Sequence, residues 1–215
     1  MVSRVSEALV DNVQPGWTIR VVQGDQAPAA DRASLAQLDE RELVASCLSG
    51  DRDAFAVIVE RHQRMVYQLC YRFVGNHEDA SDLAQDVFLR AYRGLRKFRG
   101  QSSLRTWLYR IGVNICLNRV SVKQPVSEPI DARQHQDDRA ADPVTELLRA
   151  ERASQVRAAI SRLPRKQRAT LILRVYHELS HEEIASVLGS SVGAVKANFF
   201  HALGNLKKLV SGGDR

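Results

Sequence analysis

No apolar run in the sequence approaches the roughly 20 residues that span a bilayer. The opening segment MVSRVSEALVDNVQPG lacks the continuous apolar stretch of a secretory signal. Cysteine is scarce: Cys47, Cys70 and Cys116 are odd in number, scattered and in no metal-ligand spacing. They are expected to be small core hydrophobes in a reducing cytoplasm, which excludes a secreted disulfide scaffold. Nothing alternates with period two, so strands are not expected. Proline and aromatic residues are sparse and partition unevenly. Pro15 and Pro28 lie near the start, and Pro125, Pro129 and Pro143 lie together further on. Apart from Trp17, all aromatic side chains fall outside these stretches. A segment without aromatics and rich in Pro, Asp and Gln buries too little surface to offset its chain entropy. Residues 1–38 are therefore expected to be a mobile leader, and 120–144 a linker.

What is present is helical pattern and positive charge. The formal net charge is +6 and the sequence pI about 9.5. That balance suits a nucleic-acid partner without identifying one. Two blocks remain between the aromatic-poor stretches, 39–119 and 145–212, and an all-α architecture of two small helical domains is expected. In the first block Phe55, Ile58, Val59, His62, Val66, Leu69 and Phe73 recur at helical steps, and Gly75 ends the run. Ala80, Leu83, Ala84, Val87, Phe88, Ala91 and Leu95 form a second stripe. Ser103 is placed to cap a third helix carrying Trp107, Leu108, Ile111 and Ile115.

The second block opens with Leu147, Leu148, Val156, Ile160 and Leu163 on one helix, closed before Pro164, and a helix over about 166–177 follows. Ser180 and Glu183 then spell a capping box. Gly189 is placed to end that short helix, and a longer amphipathic one begins after Ser191. Two helices joined by a short Gly-containing turn make a helix-turn-helix. Its second helix presents Ser191, Gly193, Ala194, Lys196 and Ala197 toward a groove. Small residues there let the backbone approach, and Lys196 supplies charge for phosphate. Between Arg162 and Lys208 eight basic residues face three acidic ones, an electrostatic footprint for a duplex, although an ordinary hairpin with a solvated basic face gives the same pattern.

Two further constellations lie in the first block. In LRAYRGLRKFRGQSSLRTWLYRIGVN (89–114), Arg90, Arg93, Arg96, Lys97, Arg99, Arg105 and Arg110 interleave with Tyr92, Phe98, Trp107 and Tyr109. Cations track a nucleic-acid backbone while rings stack on unpaired bases at about 1–3 kcal/mol each. The loop Gly-Gln-Ser-Ser offers polar groups to an extruded base. Core positions remain open for Tyr92 and Trp107. In SDLAQDVF, Asp82 and Asp86 lie one turn apart beside Gln85. A metal site, a docking surface and a plain solvated face are all compatible with that spacing. The metal reading lacks a further ligand on the same stripe.

The block EDASDLAQDVFLRAYRGLRKFRGQSSLRTWLYRIGVNICLNRV closely resembles domain two of the extracytoplasmic-function sigma factors of the sigma-70 family. LPRKQRATLILRVYHELSHEEIASVLGSSVGAVKANFFHALGNLKKL resembles their domain four, and the two follow in the family's order on either side of the linker. The resemblance implies a non-catalytic factor that binds core RNA polymerase and directs transcription initiation, with promoter DNA as duplex and melted strand. An anti-sigma factor is a further implied partner. It implies docking on polymerase by Asp82, Gln85, Asp86, Phe88 and Arg90. It also implies melting and reading of the minus-ten element by Lys97, Phe98, Arg99, Ser102, Ser103, Arg105, Thr106, Trp107, Tyr109, Arg110 and Asn114, with a flipped base held in the loop after Phe98. The helix over 190–201 falls where the family reads the minus-thirty-five element, which adds Ser190, Asn198 and His201 to the groove-facing residues. The linker, with net charge −3 from Pro125 to Thr145, falls where the family threads the polymerase cleft. Asn198, His201 and Leu203 stand where many members carry basic residues, and Ser81-Asp82 where Glu-Asp is common.

No cofactor is expected. His177-Glu178-Leu179-Ser180-His181 spells H-E-x-x-H, but zinc chemistry needs both histidines one turn apart on an unbroken helix, and Ser180 caps a new one. The rival reading is a self-contained helix-turn-helix regulator binding duplex DNA without polymerase.

Overall fold

The computed structural model describes residues 33–122 and 143–211, and among these no strand occurs. Almost all of the leader and linker lies outside the described residues. Chain contacts divide the protein into two compact units, parting at Arg119 and Val120, and each is taken by itself.

The first unit begins with a helix that the apolar period does not announce. Asp39 accepts the Arg41 and Glu42 amides at 2.8 Å each, and Glu42 accepts the Asp39 amide at 2.8 Å. This reciprocal capping box starts α1, Glu40–Leu48, which buries Leu43 and Val44. Asp51 caps α2, Arg52–Val74. Its expected stripe from Phe55 to Phe73 is buried, His62 included. Gly75 ends it in the left-handed region at φ 80°, where a Cβ is penalised. Asn76 caps α3, His77–Gly94, whose buried residues run Ala80, Leu83, Ala84, Val87, Phe88 and Ala91. The stripe continues to buried Leu95, but the backbone tightens there into a 3₁₀ turn, Leu95–Lys97.

Ser103 Oγ accepts the Thr106 amide at 3.1 Å and opens α4, Leu104–Val122, two residues beyond the expected start of the linker. Trp107 and Ile111 are half-buried, so the deepest residues of α4 are Leu104, Leu108, Tyr109, Val113 and Cys116 instead. Gly112 explains the shift. A Cβ built there lies 2.7 Å from Leu69 Cδ2 on α2 and 3.6 Å from Val87 on α3. The backbone of α4 thus lies close against both helices along the Leu108-Gly112-Cys116 line. Full burial of Leu108 on that line contributes about 1.5–3 kcal/mol of apolar transfer.

The second unit comprises α5, Pro143–Ser161; α6, Arg165–Val175; α7, His181–Leu188; and α8, Val192–Ser211. Proline opens α5, where its missing N–H costs nothing. Helix α8 packs on α5, α6 and α7. Leu163, Ala169, Ile172, Leu173, Ile184, Val187, Val195 and Ala202 are buried in this unit. Asn205 Nδ2 donates to Gln167 Oε1 at 2.8 Å and ties α8 to α6. Helix α6 stops at Val175, earlier than the expected 177. Glu178 takes φ 56°, and Arg174 Nη1 donates to the Leu179 carbonyl at 2.9 Å to close the turn. His177 lies in this turn and His181 opens α7, so the H-E-x-x-H residues do not share a helix face.

Candidate functional site

Three surfaces carry the sequence-predicted residues. The first is the outer face of α3. Asp82, Gln85, Asp86 and Arg90 are exposed and succeed one another at helical steps. Phe88, expected among the docking residues, is only 3 % exposed and belongs to the core, so its side chain does not reach a docked partner. Leu89, which sequence reasoning passed over, is 53 % exposed on the face instead. Tyr92 is exposed too, and meets the Phe55 ring edge-on at 4.9 Å. At the head of the helix Asp79 pairs with Arg119 at 2.9 Å, and this pair, with Asp82 and Asp86 nearby, holds the guanidinium more firmly charged. The early acidic residues complement the helix dipole. No group of three or more His, Cys, Asp or Glu able to hold a metal occurs among the described residues.

The second surface is the loop after Phe98 and the start of α4. Lys97, Arg99, Arg105, Arg110 and Asn114 are exposed, as is Ser103; Ser102 and Thr106 are half-buried. Phe98 and Trp107 meet at 5.2 Å with planes tilted by 46°, and the Trp107 ring covers Gly94, where a Cβ would lie 3.5 Å from it. Tyr109 departs from expectation. It is 1 % exposed, so its ring cannot stack on a base. Arg105 lies 5.6 Å from the centre of that ring and donates to its hydroxyl at 3.4 Å, so Tyr109 supports a surface cation from below. Gly100 sits at φ 66° in the loop. Beside it a depression of about 580 Å³ is lined by Phe98, Gly100, Ser102, Ser103 and Leu104 on one side, and by Asp39, Glu40 and Arg41 on the other.

That second wall comes from the head of α1, which packs against α2 and the 3₁₀ turn. Arg61 on α2 fixes the approach to it, donating to the Ala36 and Leu38 carbonyls at 2.7 and 2.8 Å. His62 Nε2 lies 3.1 Å from Glu40 Oε1. Burial lowers the His62 pKa, Glu40 opposes that shift, and Arg105 and Arg61 reinforce it. Sequence reasoning missed the wall because some sixty positions separate it from the loop.

The third surface is the turn and second helix of the helix-turn-helix. Ser180 Oγ accepts the Glu183 amide at 3.1 Å while Glu183 Oε2 accepts the Ser180 amide at 2.7 Å. Gly189 ends α7 at φ 59°. Ser191 Oγ accepts the Ala194 amide at 3.2 Å, capping the head of α8. Ser191, Gly193, Ala194, Lys196, Ala197 and His201 are exposed and Asn198 is half-buried, while Val195 faces the core. The Ser190 hydroxyl is buried and turned from solvent, which withdraws its side chain from this surface. A Cβ at Gly193 meets nothing within 4 Å.

Residues 58–125 match the sigma-70 region 2 family and 153–206 the sigma-70 region 4 family. The RNA polymerase sigma-H factor of Pseudomonas aeruginosa is 36 % identical over 177 residues, 78 % of this chain and 92 % of its own. The ECF RNA polymerase sigma factor SigW of Bacillus subtilis is 35 % identical over 169 residues, 74 % and 90 % of the two chains. The ECF RNA polymerase sigma-E factor of Escherichia coli K12 is 35 % identical over 175 residues, 77 % and 91 %. Among solved structures, CnrH in complex with the cytosolic domain of CnrY superposes with a TM-score of 0.60 at 27 % identity, covering 81 % of this chain and 98 % of that one. RpoE from Bartonella quintana, bound to the anti-sigma factor NepR, gives 0.54 at 21 % identity, covering 75 % and 98 %. The all-helical fold, the two matched regions in order and relatives spanned over nine-tenths of their length establish that the chain is an RNA polymerase sigma factor of the extracytoplasmic-function group of the sigma-70 family.

Proposed function

We propose that this sigma factor divides initiation among the three surfaces, with residues 39–119 handling polymerase and the melted strand and 145–212 the intact duplex. Asp82, Gln85, Asp86 and Arg90 on α3, with Leu89 among them, form the handle for core polymerase. Lys97, Arg99, Arg105 and Arg110 follow the phosphates of the opened minus-ten strand, while Phe98 and Trp107 offer ring surface to its bases. Ser191, Gly193, Ala194, Lys196, Ala197, Asn198 and His201 enter the major groove at the minus-thirty-five element, the head of the helix adding its own attraction for phosphate. The leader 1–38 carries no assigned role, and the acidic linker 120–144 threads the polymerase as a mimic of nucleic acid.

The observation that carries this reading is the pairing on one chain of a cationic, ring-bearing loop with a helix-turn-helix whose groove-facing positions are mostly small. Each binds a different form of DNA, and an initiation factor needs both. RpoE is held by an anti-sigma factor in its solved complex, which supports an inhibitory protein partner for this chain as well. The factor performs no catalysis itself and works in the cytoplasm, where polymerase is; no helix among the described residues is long and apolar enough to cross a membrane. Runoff transcription on genomic fragments tests the proposal. Core polymerase plus this chain should yield discrete transcripts that neither gives alone. Tight sequence-specific duplex binding by the free chain, with no transcript on adding core, would sink it.

A further inference from the structure

Two of the three cysteines lie together inside the first unit, and nothing in the proposed division of labour uses them. Cys70 on α2 and Cys116 on α4 are both 0 % exposed, their thiols are in contact, and neither is in a disulfide. The backbones around them are close. Gly112 stands one turn before Cys116, and a Cβ there would lie 2.7 Å from Cδ2 of Leu69, the chain neighbour of Cys70. Packed helix axes stand about 8–10 Å apart, and a glycine seated against the facing side chain marks the close end of that range. A disulfide needs its two Cα atoms within about 7 Å. Two thiols in contact across so tight a seam suit that requirement, which two cysteines merely sharing a core need not.

We propose that Cys70 and Cys116 are a redox-reactive pair: a hydroperoxide oxidises them to a disulfide that clamps α2 to α4. With hydrogen peroxide, one sulfur attacks as thiolate; the O–O bond breaks, and a sulfenic acid and hydroxide form. The second thiol gives its proton to that hydroxide, making water, and attacks the sulfenic sulfur. The S–S bond forms, the S–O bond breaks, and the departing hydroxide takes up the proton that the first thiol released. Two thiols and one peroxide become one disulfide and two waters, the sulfurs losing the two electrons that the peroxide gains. The first step is slow, because contact with Cys116 and then burial hold the Cys70 thiol well above its usual pKa. The second is fast, because the resolving thiol already touches the sulfenic sulfur. The pair therefore closes under sustained oxidant, and exchange with a small thiol reopens it. The crosslink spans some 46 residues of chain, α3 and the loop after Phe98 among them. It restricts the unfolded chain while the folded unit, its thiols already touching, moves little.

The test incubates the folded full chain with hydrogen peroxide, then blocks remaining thiols with N-ethylmaleimide in denaturant and digests without reductant. Mass spectrometry should find a Cys70–Cys116 crosslinked peptide as the main product, absent after dithiothreitol, and the same in Cys47→Ser. The crosslinked chain should melt higher than the reduced chain by roughly 10 °C or more. Heated between the two transitions, it should still bind core polymerase where the reduced chain has stopped. Cys116→Ser given the same peroxide should show no such rise over its own untreated form. Separate sulfinic or sulfonic acids at Cys70 and Cys116, or a crosslink that forms only in urea, overturn the proposal without any variant having to fold. A native crosslink that leaves Tm unchanged or lowers it overturns the clamp.

Discussion

Gly193 and Gly204 lie on the same helix, α8, and neither is in the left-handed region. A Cβ at either position meets nothing within 4 Å. Alanine therefore introduces no steric cost in the folded unit and removes conformational freedom from the unfolded chain. In the middle of the helix Gly204→Ala should stabilise by about 1 kcal/mol. Gly193 is the second residue of the helix, where the gain falls to about 0.5 kcal/mol, the low end of the glycine penalty. For a unit of this size 1 kcal/mol moves Tm by about 4–8 °C. Gly204→Ala should then raise the transition of the C-terminal unit by that amount, and Gly193→Ala by about half. Only Gly193 lies on the proposed DNA face. A methyl wedged into a close backbone approach costs about 1 kcal/mol or more, so Gly193→Ala holoenzyme should lose about fivefold or more in duplex affinity. Gly204→Ala should bind as the parent does. Thermal melting of the full chain by circular dichroism, paired with minus-thirty-five duplex binding at fixed salt, reads both quantities. A destabilised Gly204→Ala would refute the helix geometry, and a Gly193→Ala holoenzyme that is more stable but binds unchanged would refute the close approach.

Reversing charge on the α3 handle with Asp86→Lys should leave Tm unchanged, because the residue is exposed, and should weaken capture of core polymerase in a competition assay; unchanged capture removes Asp86 from the interface. Cys47 is pushed up to about 11, by burial and then by Asp51, and Cys70 is raised well above the usual range, first by its contact with the Cys116 thiol and then by burial. Iodoacetamide at neutral pH should accordingly spare Cys70 and Cys116 in the native chain and reach half-buried Cys47 slowly, with rapid labelling of Cys70 by mass spectrometry counting against the packing of α4 on α2. The His62 pKa is lowered from 6.5, by burial first, against Glu40 and with Arg105 and Arg61. Its neutral form is the one the fold favours, so its contribution is present in full above about 6.5 and lost as pH falls from there through the lowered value. Tm measured from pH 8 to 5 should decline less in His62→Gln than in the parent.

The local signals were legible. The Phe55–Phe73 stripe, the stops at Gly75 and Gly189, the Ser180–Glu183 box and the Ser103 cap are each written within a few consecutive residues, and the structure holds all of them. Non-local features were not. Helix α1 is only nine residues long, and its place depends on Arg61 and on packing against α2. The acidic wall it lends to the loop follows from that packing and from no motif. Tyr109 was misplaced for a related reason, since an aromatic among cations fits a DNA face or a core face and helix rotation decides, whereas Phe88, implied as a docking residue, lies in the apolar stripe that its spacing already marks. Here the close approach at Gly112 turns α4 so that Tyr109 goes inward while Trp107 stays at the edge.

Permanganate footprinting of a recovered promoter tests the division of labour most directly, because it reports unpaired thymines on duplex DNA. The account predicts reactive thymines near minus ten only when core polymerase and this chain are both present, with the minus-thirty-five element still paired. Opening by the chain alone, or no opening by the two together, would contradict it.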